Sequence, residues 1–167
     1  WVDKHPDYVV KIADAGHEIG NHSYSHPHMN SLSEQGLHYE LQKNQSLIQD
    51  LTGQRTTLFR PPFGEYNNQV LSTASALGYH TIQWSVDSLD WKNLTSNQIF
   101  ERVMEQIKPG SIVLFHNAAP GTPGAIRRLI PDLLAKGYEI LPVSQLLYQD
   151  NFYIDHAGIQ HPIKGGN

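Results

Sequence analysis

The chain alternates between two kinds of segment, and the alternation constrains its fold more than any single residue does. Helical patterns at 6–15, 33–52, 67–77, 96–107 and 123–136 are separated by short apolar or β-compatible runs at 17–21, 56–60, 79–86, 111–115 and 138–141, with a short helix expected at 143–149. Strands that alternate with helices pair in parallel through crossovers, so the expected class is α/β with a mostly parallel sheet or barrel. The punctuation agrees. Pro6 lies in a first helical turn, Ser33 opens a helix that closes near Gly53, and Gly78, Pro109-Gly110 and Gly137 mark other ends. A length of 167 residues suffices for one domain with its own core. The stretch 150–167, rich in Gly, His and Pro, reads as a loose C-terminal extension.

Composition removes several classes of function. A net charge of -4 with no basic block leaves no electrostatic footprint for nucleic acid. No apolar run reaches the ~18 residues a membrane span requires. Trp1-Val2-Asp3-Lys4 leads directly into a helical pattern, so no signal peptide is expected. With no cysteine there is neither a disulfide nor a thiolate metal site, whereas ten histidines favour imidazole chemistry.

The polar residues of interest follow the expected strands at their C-terminal ends, which in a parallel barrel gather on the face that carries the active site. His22 and His26 follow the first strand. Two imidazoles four residues apart can reach one cation, such as zinc at about 2.0–2.1 Å, or they are two solvated loop histidines. Arg60-Pro61-Pro62-Phe63-Gly64 follows the second. The prolines fix the direction in which Arg60 leaves the strand, either as a clamp on a carboxylate or in a surface ion pair. Gly64 allows a sharp turn that leaves the Phe63 N–H available to a developing oxyanion. Asp87 and Asp90 bracket the third strand end. Either carboxylate could accept the second ring N–H of His116, raising its basicity and setting its tautomer. Trp91 could stack on a sugar ring or be a half-buried loop residue. His116 follows the apolar run 112–115 and suits a general acid or base, or a hydrogen-bonded rim histidine. Leu114 shares its side of the strand and either walls a small apolar pocket or belongs to the core.

Taken together these runs resemble the polysaccharide deacetylases, the family of chitin, chitooligosaccharide and peptidoglycan N-deacetylases. His22-Ser23-Tyr24-Ser25-His26, preceded by Gly16-His17-Glu18-Ile19-Gly20-Asn21, is similar to the family's metal motif. Arg60-Pro61-Pro62-Phe63-Gly64 is similar to its RPP-aromatic-G motif, Asp87-Ser88-Leu89-Asp90-Trp91 to DxxDW, and Leu114-Phe115-His116 to LxH. The resemblance runs in order from residue 1 to about 148. It implies a distorted (β/α) barrel and a catalytic domain over residues 1–149.

One departure stands out. The family opens with a TFDDG-like strand whose aspartates supply the catalytic base and the third metal ligand, and no such run is present. Tyr153-Ile154-Asp155-His156 is only faintly similar and lies at the opposite end. The expectation is an N-terminally incomplete domain, lacking its first strand or strands and cut from a longer protein. With that gap, the resemblance implies a metal-dependent hydrolase that removes N-acetyl groups from N-acetylglucosamine-containing polysaccharide. The cofactor would be a divalent metal, zinc or alternatively cobalt, held by His22 and His26. Arg60 would tether the base aspartate, the Phe63 N–H would help bind the oxyanion, and His116, held by Asp90, would protonate the leaving amine. Leu114 and Trp91 would shape the acetyl pocket. The alternatives are an acetyl xylan esterase on the same scaffold and a non-catalytic carbohydrate-binding fragment. We expect an extracellular or cell-envelope location, a polysaccharide partner, no nucleic acid and a monomer.

Overall fold

The computed structural model describes residues 1–163. Part of the expected C-terminal extension, residues 164–167, lies outside the described residues. The chain divides into two units, Trp1–Gln83 and the residues from Trp84 onward.

In the first unit, helix α1 spans Pro6–Asp14, with Pro6 at its first position, and α2 spans Glu34–Thr52. The Ser33 hydroxyl caps α2 by accepting from the Gly36 N–H, and Gly53, left-handed at φ 70°, ends it. Leu37, Leu41 and Ile48 of α2 are buried at helical spacing. Strand β1 (Leu58–Phe59) pairs in parallel with β2 (His80–Thr81), and helix α3 (Asn68–Ala76), capped by the Asn67 side chain, connects them. Asn21 adds a parallel bridge to Phe59 on the other side of β1. The core of this unit is Met29, Leu37, Leu41, Phe59, Val70, Ala74 and Tyr79.

In the second unit, β3 (Val86–Asp87) pairs in parallel with β4 (Val113–Leu114) through α4 (Ser96–Gln106). Thr95 and Gln98 form a reciprocal capping box at the start of α4. Helix α5 (Thr122–Ala135) packs on α4 around Val86, Ile99, Val103, Ala125, Leu129 and Leu133. Gly121 sets the start of α5, because a Cβ there would overlap the Leu94 carbonyl and Ile99. The short helix α6 (Val143–Leu146) follows, then an antiparallel pair β5 (Phe152–Ile154) and β6 (Gln160–Pro162).

The strands are shorter than the sequence pattern suggests. The run 79–86 is not one strand. Its first half pairs with β1 and its second half with β4, with the boundary between the units falling at Gln83. The run 17–21 forms only the bridge at Asn21. The run 138–141 forms no ladder among the described residues, and Ile140 and Leu141 stay exposed. β-propensity marks a chain that can extend, but a ladder needs a partner on its edge. In the other direction, part of the tail expected to be loose is the β5–β6 hairpin.

Candidate active site

In the first unit the bridge residue Asn21 sets the position of everything after it. Its N–H donates to the Leu58 carbonyl (2.7 Å) and its own carbonyl accepts from the Arg60 N–H (2.9 Å). Its buried side chain donates to the Leu41 carbonyl (2.9 Å) and the Tyr79 hydroxyl (3.0 Å), and accepts from the Ser23 N–H (3.0 Å) and the Asn44 amide (2.9 Å). The carboxamide thereby uses both donors and both acceptor positions.

The loop from His22 to His26 takes two left-handed non-glycine conformations, Ser23 at φ 67° and His26 at φ 60°. Such residues cost on the order of 1–3 kcal/mol each and persist where their surroundings hold them. Ser23 Oγ accepts from the His26 N–H (3.0 Å). The Glu40 carboxylate, from α2, accepts from the Tyr24 N–H (2.9 Å), the Ser25 N–H (2.8 Å) and Ser25 Oγ (2.7 Å). The His22 and His26 rings then lie 5.0 Å apart, centroid to centroid, at 75°. His22 Nδ1 is hydrogen-bonded to the Arg60 carbonyl. A carbonyl only accepts, so Nδ1 carries the proton and Nε2 the lone pair that a cation requires.

The Arg60-to-Gly64 run lies beside this loop. The Arg60 guanidinium has no hydrogen-bond acceptor among the described residues, and burial draws its pKa below the ordinary value. Phe63 is left-handed at φ 58°, with a 55% exposed side chain. Its ring meets His26 edge-on at 4.6 Å and stacks on His28 at 4.4 Å and 16°. His28 Nδ1 in turn is paired with Glu65 at 3.0 Å. The Phe63 N–H finds no acceptor among the described residues.

In the second unit the organising group is Asp90, 1% exposed. Its carboxylate accepts from the His116 N–H (2.7 Å), His116 Nδ1 (2.7 Å) and the Thr122 hydroxyl (2.6 Å). Burial alone would push its pKa up. The Thr122 hydrogen bond outweighs that, together with the two donors of His116 and the His116 charge, and Asp90 stays below the usual carboxylate value. The bond to Asp90 leaves Nε2 as the ring nitrogen of His116 that can exchange a proton. Asp87 does not compete for this ring, because its Oδ1 accepts from the Leu89 N–H (2.9 Å). Leu114 is buried beside Asp87 in the β3–β4 register, and Trp91 is 55% exposed, with Lys92 Nζ 5.0 Å from its ring centroid.

The structure thus brings His22, His26, Arg60 and Phe63 together in one unit, and Asp90, Trp91, Leu114 and His116 in the other. Among the described residues no group of three or more His, Cys, Asp or Glu side chains could hold a metal ion. The donor set therefore fits as two imidazole ligands of a divalent cation, short of the three protein ligands usual for a catalytic zinc. Asp155 is no substitute. It is committed to its own turn, accepting from His161 Nε2 (2.8 Å) and from the Ile159 and Ala157 N–H groups, and these, His161 foremost, hold its pKa at about 2.

Glu40 and Asn44 are not among the residues the sequence pattern points to, and Asn21 enters it only as the end of the run before His22, yet all three build the loop. A signal was present. Glu40 and Asn44 fall three and seven residues after Leu37, on the apolar face of α2, where a carboxylate and a carboxamide need partners to be buried.

The polysaccharide deacetylase family model matches residues 1–82. A curated relative, the peptidoglycan-N-acetylglucosamine deacetylase of Bacillus cereus, is 34% identical over 139 residues, covering 81% of this chain and 50% of its own. The chain belongs to the polysaccharide deacetylase family. A solved peptidoglycan N-acetylglucosamine deacetylase superposes with a TM-score of 0.84 at 32% identity, over 87% of this chain and 70% of its own. A family 4 carbohydrate esterase pseudoenzyme from Bacillus anthracis superposes equally well, with a TM-score of 0.84 at 36% identity, over 87% of this chain and 52% of its own. The fold class is that of these proteins, the α/β distorted-barrel type that the resemblance implied. The chain spans about half or less of the length of the first curated relatives it matches. No helix among the described residues is long and apolar enough to cross a membrane.

Proposed function

We propose that the protein is a metal-dependent hydrolase of the cell envelope that removes N-acetyl groups from N-acetylglucosamine-containing polysaccharide, peptidoglycan or chitin oligomers. The observation that carries this reading is the Asp90–His116 pair, a buried carboxylate holding one nitrogen of a half-buried imidazole and leaving the other to exchange a proton. Support for the substrate class comes from relatives named as peptidoglycan-N-acetylglucosamine deacetylases.

In this reading His22 and His26 hold a divalent cation, zinc or cobalt. Bound there, the cation would supply Lewis-acid polarisation of the acetyl carbonyl and of water. Water adds to the acetyl carbon and loses a proton to the base carboxylate, and His116 donates its Nε2 proton to the leaving amine as the C–N bond breaks, Asp90 stabilising the imidazolium before that transfer. The Phe63 N–H hydrogen-bonds the oxygen on which negative charge develops. Arg60, half-buried and with no acceptor among the described residues, would hold the base carboxylate, the aspartate of the motif that this sequence lacks. Leu114 and Trp91 exclude water around the acetyl methyl.

The test is acetate release from chitooligosaccharide, peptidoglycan and acetylated xylan, with and without Zn²⁺ or Co²⁺. Metal-dependent release from the first two is expected. Release from xylan alone would replace this reading with an acetyl esterase. Sugar binding without release from any of the three would make the protein non-catalytic, a reading favoured by its likeness to the Bacillus anthracis pseudoenzyme.

A further inference from the structure

We infer that Glu40 is a positioning residue for the His22–His26 pair, and that its charge is buried to aim two imidazoles rather than to stabilise the helix that carries it. The inference rests on the metal-binding reading above only for its consequence, not for its geometry. Glu40 is 7% exposed on α2, among Leu37, Leu41 and Ile48. A lone buried carboxylate is strongly unfavourable, so its partners must justify it. All the partners seen belong to two consecutive residues midway between the histidines. They are the Tyr24 N–H at 2.9 Å, the Ser25 N–H at 2.8 Å and Ser25 Oγ at 2.7 Å.

Those donors are otherwise hard to satisfy. Ser23 and His26 are both left-handed, which turns the Tyr24 and Ser25 amides away from any strand ladder. The Ser23 hydroxyl satisfies the His26 N–H, and the Asn21 carboxamide satisfies the Ser23 N–H. Glu40 takes the two amides that remain, so the loop between the ligands has a fixed acceptor for each backbone donor from Ser23 to His26. With the backbone held, the separation of 5.0 Å and the angle of 75° between the rings are set before a cation arrives. Preorganisation of this kind is what groups behind metal ligands usually provide, and their loss typically costs 10–100-fold in metal affinity.

The experiment uses the whole protein and compares wild type with Glu40→Gln, which keeps the shape but turns an amide NH₂ toward N–H donors. Three quantities are read: Zn²⁺ affinity by competition with a chromophoric chelator, hydrogen exchange at the Tyr24 and Ser25 amides, and the ring-to-ring NOE between His22 and His26. The expected result is a fall of about tenfold or more in Zn²⁺ affinity, faster exchange at both amides and a weakened NOE, with the far-UV circular dichroism unchanged. Glu40→Asp keeps the charge and withdraws the acceptors by one methylene. It should show the same losses in milder form, and it decides the matter if the Gln variant does not fold. Zn²⁺ affinity and NOE both within twofold of wild type, while the two amides exchange freely, would overturn the inference. A wild type that binds no Zn²⁺, together with an NOE that still depends on Glu40, would remove the metal reading and leave the positioning role standing.

Discussion

Each unit buries one carboxylate on which its candidate residues depend, and the two are used differently. Asp90 touches the imidazole of His116 itself, through Nδ1, so it acts on a proton. Glu40 touches no imidazole in its hydrogen bonds. It takes backbone and hydroxyl donors of the loop between two of them, so it acts on position. The donors differ accordingly. Asp90 gathers a ring nitrogen, an amide and a hydroxyl from the end of β4 and the start of α5, whereas Glu40 collects from two neighbouring residues of a single turn. Saturation with donors makes both burials tolerable. The identity of those donors decides which chemistry each can support.

The comparison can be broken at several points. The largest effect is expected for His22→Ala, which should abolish equimolar Zn²⁺ binding in the whole protein. Metal analysis showing retained stoichiometric zinc would remove the first unit's assigned role. Asp90→Asn should lower kcat by about 10²–10⁴, the usual contribution of a positioned acid, while Zn²⁺ affinity stays near wild type. A kinetic and metal-binding profile with the opposite split would exchange the roles given to the two carboxylates. Thr122→Val removes one of three donors to Asp90, and urea unfolding should show a loss of about 1 kcal/mol.

Acid sharpens the same point. The pKa of Asp90 is depressed in the folded state, so its contribution to stability is complete above the unfolded value, near 3.8, and fades as pH falls through the folded one. The gap in urea midpoint between wild type and Asp90→Asn should therefore narrow below about pH 4. A gap that held constant from pH 7 to pH 3 would show that the carboxylate is not stabilised in its charged form. The smallest effect concerns Asp155, where the same sign applies. Its carboxyl resonance should titrate at about 2, and a midpoint near 4 would mean that the His161 pair does not persist in solution.

How much of this could be read in advance differs between helices and strands. Helix α2 carries its own start and stop signals in Ser33 and Gly53, because capping is a contact between residues three or four apart. Strand ends could be located only approximately. The run 79–86 is continuous in β-propensity, yet its halves pair with different strands, and no local property of Gln83 or Trp84 announces the change.

Within the candidate site, the residue types and their order were legible: imidazoles at 22 and 26, the guanidinium at 60, the carboxylates at 87 and 90, and the imidazole at 116. Which of two aspartates three apart holds His116 was left open by the residues themselves, and only the family resemblance pointed to Asp90, as the structure shows. Asp87 is bonded to its own loop and Asp90 to residues 26 and 32 positions away. Glu40 and Asn44 were visible only as polar interruptions of an apolar stripe. By itself, then, the amino-acid sequence determined the α/β alternation, the places of the longer helices to within a residue or so and the inventory of reactive side chains, since those depend on periodicity and near neighbours. Tertiary structure alone decided which carboxylate meets which donor, because a buried charge is satisfied by groups distant in the chain, and only folding brings them within hydrogen-bond reach.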